Sequence, residues 1–218
     1  MSELNQLLLK LDYKTNFNEH DFYLSKSNSN AFNFINRWPD WEKKILNISG
    51  EKFSGKSHLA NIFKLKSKAF LVKGNKIDNS TFKSLKLYES IIIDDFEECN
   101  EEEIIYSIFN LIDQDNKYLL INSLKPINKI KYKLPDLASR SKNCLYAEIE
   151  NPDDELLFAI ILKNFSDRQI KIEKKIINFV ISRIDRSYRK IDEFIYKVDE
   201  LILKKKKPIN LKTIKEIL

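Results

Sequence analysis

The octet Gly50-Glu51-Lys52-Phe53-Ser54-Gly55-Lys56-Ser57 satisfies the pattern G-x-x-x-x-G-K-[ST] at every fixed position. It follows the apolar run Ile45-Leu46-Asn47-Ile48-Ser49 and leads into His58-Leu59-Ala60-Asn61-Ile62-Phe63, which reads as a helix. A strand, this loop and a helix in that order form a phosphate cradle. The loop N–H groups turn inward and the helix start adds partial positive charge. Lys56 is placed to reach terminal phosphates and Ser57 to ligate Mg²⁺, with Gly50, Phe53, Ser54, Gly55 and His58 around the ligand. The whole chain has three glycines, and this loop takes two of them. The chain is therefore expected to bind a nucleoside phosphate.

At 218 residues there is room for one medium domain, or a core domain with a small second one. An apolar fraction of 43% is enough for a buried core. No apolar run approaches the ~18–20 residues of a membrane span. The start, Met1-Ser2-Glu3-Leu4-Asn5-Gln6, lacks the basic and then apolar layout of a signal peptide. Two cysteines, Cys99 and Cys144, suggest neither a disulfide framework nor a metal site. A reducing, cytoplasmic setting without membrane association is expected. The net charge of +6 falls mostly after residue 150, where 16 basic side chains face 11 acidic ones. Such a region suits DNA or an acidic protein face. The chain is rich in lysine, so its six arginines stand out: Arg37, Arg140, Arg168, Arg183, Arg186 and Arg189. A guanidinium gives planar, two-point phosphate recognition that an ammonium cannot.

Residues 13–44 are polar with turn signals, then carry Phe32, Phe34, Ile35 and Trp38 at helical spacing before Pro39. From 45 to about 150 short apolar runs alternate with helical patterns, as expected of a parallel sheet covered on both faces. The candidate strands are 45–49, 69–72, 90–93, 118–121 and 144–149. Ligands of such sheets lie at the carboxyl ends of the strands. Strand 90–93 ends in Asp94-Asp95, a Walker-B pattern. Asp94 is the candidate Mg²⁺ carboxylate, and Asp95 the group that orients or deprotonates an attacking water. Strand 118–121 ends in Asn122-Ser123, polar groups suited to a γ-phosphate. After 151 the pattern is helical only, with apolar faces at Phe158, Ile161, Leu162 and Phe165, then Ile176 to Ile184, then Ile191 to Ile202. The third helix ends in Lys204-Lys205-Lys206-Lys207-Pro208, cations at a helix end followed by a breaker. The expectation is an α/β core at 13–150 with a five-stranded parallel sheet, then a small all-helical lid at 151–218, with a tail at 1–12.

These parts together resemble an AAA+ P-loop NTPase module. Leu134-Pro135-Asp136-Leu137-Ala138-Ser139-Arg140 resembles the box VII segment of the initiator DnaA and, more closely, of its shortened homologues, the Hda family. Arg186-Ser187-Tyr188-Arg189-Lys190-Ile191 is similar to their sensor-2 helix, and Thr213 to Leu218 to the end of Hda proteins. Phe22-Tyr23-Leu24 with Ser27-Asn28 and Ala31 resembles the segment that approaches adenine, and Arg37-Trp38-Pro39-Asp40-Trp41 is similar to alphaproteobacterial versions. The resemblance covers nearly the whole chain, and implies a protein that ends where Hda proteins end, without the helix-turn-helix domain by which DnaA binds origin DNA. In the tail, Gln6-Leu7-Leu8-Leu9-Lys10-Leu11 occupies the place of the family's sliding-clamp-binding word, departing from it at Leu8 and Lys10.

The resemblance implies an ADP- or ATP-binding negative regulator of replication initiation. Its partners would be DnaA and the β sliding clamp of DNA polymerase III, with DNA met through the clamp. Homo-oligomerisation is open. On the DNA-loaded clamp it would stimulate hydrolysis of DnaA-bound ATP, with Arg140 as an arginine finger in trans. Phe22 and Tyr23 would meet the base, and Arg189 the phosphates of this chain's own nucleotide. Gln6, Leu7, Leu9 and Leu11 would contact the clamp. Intrinsic ATPase activity would be weak. Three other readings stay open: a DNA-binding or helicase-loading ATPase, a non-catalytic adaptor between clamp and DnaA, and a P-loop kinase.

Overall fold

A computed structural model describes residues 22–205 and 209–218. The tail with Gln6, Leu7, Leu9 and Leu11 lies outside the described residues. The chain begins with α1 (Ser29–Arg37) and then alternates strictly through the sheet. In order come β1 (Ile45–Gly50), α2 (Lys56–Ser67), β2 (Phe70–Lys73), α3 (Asn79–Leu85) and β3 (Ser90–Asp94). They are followed by α4 (Glu102–Gln114), β4 (Tyr118–Ser123), α5 (Pro135–Ser141) and β5 (Leu145–Ile149). The five strands lie in the order β2-β3-β4-β1-β5, and every pairing is parallel. All five expected strands form, within a residue or two of their expected limits.

Strand pleating explains why these runs are apolar throughout. Ile45, Ile91, Ile93, Leu119 and Ile121 point to the face covered by α3, α4 and α5. Their neighbours Leu46, Ile48, Ile92 and Leu120 point to the opposite face, against α1 and α2. Successive side chains alternate between faces, so a strand covered on both sides has no polar position to spare. Ser49 and, nearer the strand's middle, Asn47 are the polar exceptions inside β1. The Asn47 amide donates to Ile121 O at 3.0 Å and to Ser123 Oγ at 2.9 Å, and its carbonyl accepts Ile127 N–H at 3.0 Å. A buried amide satisfied this way fixes the turn leaving β4.

The stretch before β1 packs beside α2. Trp41 stacks on Phe63 with ring centroids 5.2 Å apart, while its indole N–H donates to Phe34 O at 2.7 Å. After β5 the chain is helical: α6 (Asp154–Asp167), α7 (Lys174–Ile181), α8 (Tyr188–Lys205) and α9 (Leu211–Lys215). These helices share an apolar core of their own, with Leu157, Ile161, Phe165, Ile177, Val180 and Ile191 at its centre. Among the described residues no helix is long and apolar enough to cross a membrane.

Candidate functional site

The phosphate loop leaves the buried end of β1 and closes on the first turn of α2. Gly55 has φ +94°, a conformation that disfavours any residue with a Cβ. Gly50 is needed for space, since a Cβ there would lie 3.0 Å from Ser54 Oγ and 3.1 Å from Ile149 O. Phe53 also has positive φ, at +69°, although it carries a full side chain and is 53% exposed. The loop is wound so tightly that one bulky residue adopts a left-handed conformation at its tip.

Lys56 is buried, and its ammonium donates to Gly50 O and Glu51 O, both at 2.8 Å. Burial pushes its pKa below the ordinary lysine value, while the carboxylates of Glu97, Asp94, Asp95 and Glu51 pull the other way. Beside it, Ser57 Oγ donates to Asp94 Oδ2 at 2.8 Å. The other Asp94 oxygen accepts the Asn122 amide at 2.9 Å. The sheet order accounts for this cluster, because β4 lies between β1 and β3 and brings Asn122 to the side of Asp94. Ser57 and Asp94 are the hydroxyl and carboxylate pair that suits Mg²⁺ in such loops, the remaining ligands coming from phosphate and water. Two polar atoms here, Ser54 Oγ and Asn122 Oδ1, are buried without a hydrogen-bond partner. Buried polar groups are rarely left so, and both suit a phosphate or its bound water. The residues therefore fit a Mg²⁺–nucleotide.

Phe22 packs over the loop. Its ring stacks on Phe32 at 5.6 Å, meets His58 edge-on at 5.3 Å, and lies 3.3 Å from where a Cβ on Gly55 would be. Tyr23 is half-exposed, and its carbonyl accepts the Asn28 amide at 2.9 Å. The start of α8 also reaches the loop. Ser187 Oγ and Tyr188 N–H donate to the two Glu51 carboxylate oxygens at 2.7 and 2.8 Å. Glu51 thus ties the phosphate loop to the C-terminal helices, a contact that reading residues in chain order does not suggest. One residue on, Arg189 is 71% exposed and pairs with Glu193 at 3.0 Å on its own helix.

Several charged and polar residues singled out from the sequence have the following partners. Asp95 has φ +55°, and its carboxylate pairs with Lys73 at 3.4 Å. Ser123, at the tip of β4, is turned away from Asp94, since its hydroxyl bonds Asn47 and Lys125 O. Arg140 pairs with Asp113 on α4, its guanidinium carbon 5.5 Å from the Tyr106 ring centroid. Arg186 pairs with Asp154 at 2.9 Å, whereas Arg183 lies over Phe179 with its guanidinium carbon 3.8 Å from the ring centroid. Sequence reasoning also missed Gly74. A Cβ there would lie 2.3 Å from Asp95 O, so the backbone after Asp94 packs directly on this glycine.

Arg140 stands at the far end of the sheet. It lines a cleft of about 430 Å³ together with Glu42, Lys43, Lys44, Ile45, Asp113 and Asn143. That cleft opens at the first residue of β1, whereas the phosphate loop begins at its last.

A phosphate loop after β1, which lies between β4 and β5 in a five-stranded parallel sheet ordered β2-β3-β4-β1-β5, with appended helices, defines the AAA+ class. No family model matches the chain. It is similar to the chromosomal replication initiator protein DnaA of Borreliella afzelii, at 25% identity over 210 residues, 84% of this chain and 43% of that protein. With DnaA of Chlorobaculum tepidum it shares 28% identity over 132 residues, 56% of this chain and 27% of that protein. The chain therefore spans less than half the length of these curated relatives. Domain III of the Thermotoga maritima initiator DnaA superposes with a TM-score of 0.75 at 20% identity, covering 94% of this chain and 96% of that one. AMPPCP-bound DnaA from Aquifex aeolicus gives 0.67 at 18% identity, covering 90% and 70%. The Thermotoga maritima RuvB Holliday junction branch migration motor gives 0.61 at 18%, covering 80% and 60%. The chain is a homologue of DnaA with the AAA+ fold of that protein's domain III.

Proposed function

We propose that this chain is an adenine-nucleotide-binding, Hda-like regulator that stimulates hydrolysis of DnaA-bound ATP in trans through Arg140. The observation that carries the reading is where Arg140 lies. At about 3.3 Å per residue, the six-residue β1 separates the Arg140 cleft from the phosphate loop by roughly 16 Å. An arginine that far from its own loop would meet the phosphates of another molecule. An arginine finger supplied in trans is worth about 10³–10⁵ in rate, because it meets charge that develops only in the transition state.

The chain's own nucleotide would be held by Lys56 at the phosphates and by the loop N–H groups, with Phe22 and Tyr23 toward the base. Ser57 and Asp94 would hold Mg²⁺, which neutralises phosphate charge when bound. Asn122 would touch the terminal phosphate, and Arg189 would reach it after leaving Glu193. AMPPCP in the similar Aquifex DnaA structure supports an adenine nucleotide at this loop. Gln6, Leu7, Leu9 and Leu11 would dock on the β sliding clamp, which brings the complex to DNA; this part rests on sequence. Residues 151–218 would act as the lid, the core running from 13 to 150. The Asp113 ion pair favours a second reading, a non-catalytic adaptor in which Arg140 is structural.

The test is single-turnover hydrolysis of ATP preloaded on the cognate DnaA, with this protein in its ADP form and DNA-loaded clamp. Stimulation that is abolished in Arg140→Ala and in Gln6→Ala is the expected result. Full stimulation by Arg140→Ala would establish the adaptor instead. No stimulation by the unaltered protein, with clamp binding measured separately, would sink the inactivator reading.

A further inference from the structure

The residue that sequence position nominates to activate water, Asp95, is paired with a lysine outside the phosphate loop. Its left-handed backbone turns the carboxylate to Lys73 on the edge strand β2. Its carbonyl packs on Gly74 and accepts Glu98 N–H at 2.9 Å, which starts a single 3₁₀ turn, Phe96–Glu98. Phe96 is buried in the core, which anchors that turn. The turn carries the next acidic residue back across the tip of β3. Glu97 Oε2 accepts the Leu124 N–H at 3.2 Å, directly beyond Asn122-Ser123 of β4. Its carboxylate thus lies at the carboxyl ends of β3 and β4, where Asn122, Asp94 and Ser57 meet. Of the carboxylates around the Lys56 ammonium, Glu97 exerts the largest electrostatic pull, ahead of Asp94 and Asp95.

We propose that Glu97, rather than Asp95, is the catalytic carboxylate that orients and deprotonates the water attacking the terminal phosphate of ATP bound to this chain. The inference rests on the nucleotide-binding reading above. In the step, the water oxygen forms a bond to the γ-phosphorus. The bond from that phosphorus to the β,γ-bridging oxygen breaks, its electron pair leaving with ADP. The water proton passes to Glu97 and from there to the released phosphate. Glu97 is exposed and held through one oxygen by a single backbone donor, so its long side chain can swing to the phosphate with little lost packing. Asp95 would leave its lysine partner, and move against a left-handed backbone pinned on Gly74, to do the same.

The experiment measures two quantities on the full chain: affinity for a fluorescent ATP analogue, and Mg²⁺-dependent phosphate release from ATP. Glu97→Gln is expected to lower kcat about 10²-fold or more, the usual worth of a general base. Its analogue affinity should stay near that of the unaltered protein. The acidic limb of the kcat–pH profile, set by the base, should be lost with it. Glu97→Asp, which keeps the charge but shortens the reach, should fall between the two. Asp95→Asn should retain most of the turnover and the acidic limb. The proposal is overturned if Asp95→Asn abolishes turnover while Glu97→Gln does not, or if the unaltered protein binds the analogue yet releases no phosphate. Failure to bind the analogue overturns the nucleotide site itself and takes this assignment with it. That failure is seen in the affinity measurement, so the two are told apart.

Discussion

Replacing Glu51 by alanine tests whether the phosphate loop holds the C-terminal helices in place. The carboxylate receives Ser187 O–H and Tyr188 N–H at 2.7 and 2.8 Å. Ser187 in turn caps α8, accepting Lys190 N–H at 3.3 Å. The substitution removes a charged acceptor from the start of an 18-residue helix whose free N–H groups favour negative charge. Losing a side-chain acceptor at a helix start costs about 0.5–2 kcal/mol, and losing the charge adds about 0.3–1 kcal/mol. Glu51 and Ser187 are only half-buried, so the expected loss is the middle of that range, about 1.5–2 kcal/mol. Glu51→Gln keeps one acceptor oxygen and should lose about half as much. Urea denaturation of the full chain gives the free energies. Thermal melting should follow at about 2–4 °C per kcal/mol for a protein of this size. Native-state hydrogen exchange should show faster opening of the first turn of α8 before the sheet is affected. A Glu51→Ala protein within about 0.3 kcal/mol of the original, far below the usual cost of a lost cap, would refute the argument. The contact would then be a surface pairing without consequence.

Three further predictions concern other elements. Gly74→Ala places a Cβ against the Asp95 carbonyl and should cost about 1–3 kcal/mol in urea denaturation, as overpacking does; an unchanged midpoint would mean that the turn yields freely. Phe53→Gly relieves a left-handed backbone at an exposed loop tip and should raise stability by about 1 kcal/mol; a lower midpoint would show that the Phe53 ring makes contacts that outweigh the strain. The Asp78 carboxylate caps α3, accepting Thr81 N–H and the hydroxyls of Ser80 and Thr81, which hold its pKa down to about 2. A carboxyl whose folded pKa is depressed binds its proton more readily when unfolded, so its contribution is present above the ordinary aspartate pKa. It is lost as pH falls toward 2. Asp78→Asn should therefore be less stable than the original at neutral pH, and the difference should close between about pH 4 and pH 2. A difference that is independent of pH would refute the charge-based cap.

Much of this molecule is written in short-range pattern. The octet 50–57 needs a tight loop between strand and helix, and only glycine suits Gly55 at φ +94°. Ile91-Ile92-Ile93 reads as a doubly covered strand because each of its residues faces one or the other apolar layer. Strand limits, the change to helices after 151 and the placing of Asp94 at a strand end all follow from such local rules. That Lys56, Ser57 and Asp94 come together was legible for the same reason: loop geometry and the carboxyl end of a strand are local properties.

What lay beyond the sequence was the partner of each charged side chain. Asp95 and Glu97 are two residues apart and equally acidic, yet one faces Lys73 and the other Leu124. The choice depends on a left-handed residue, a buried Phe96 and the close approach of Gly74, whose contact comes from the neighbouring strand. Arg140 had Asp136 four residues away, but the partner Asp113 comes from α4, which packs alongside. Glu51 meets Ser187 across 136 positions of sequence. Backbone conformation is fixed by each residue and its immediate neighbours. Side-chain partnership is fixed by which elements the sheet order and helix packing bring together, and that only the tertiary structure decided.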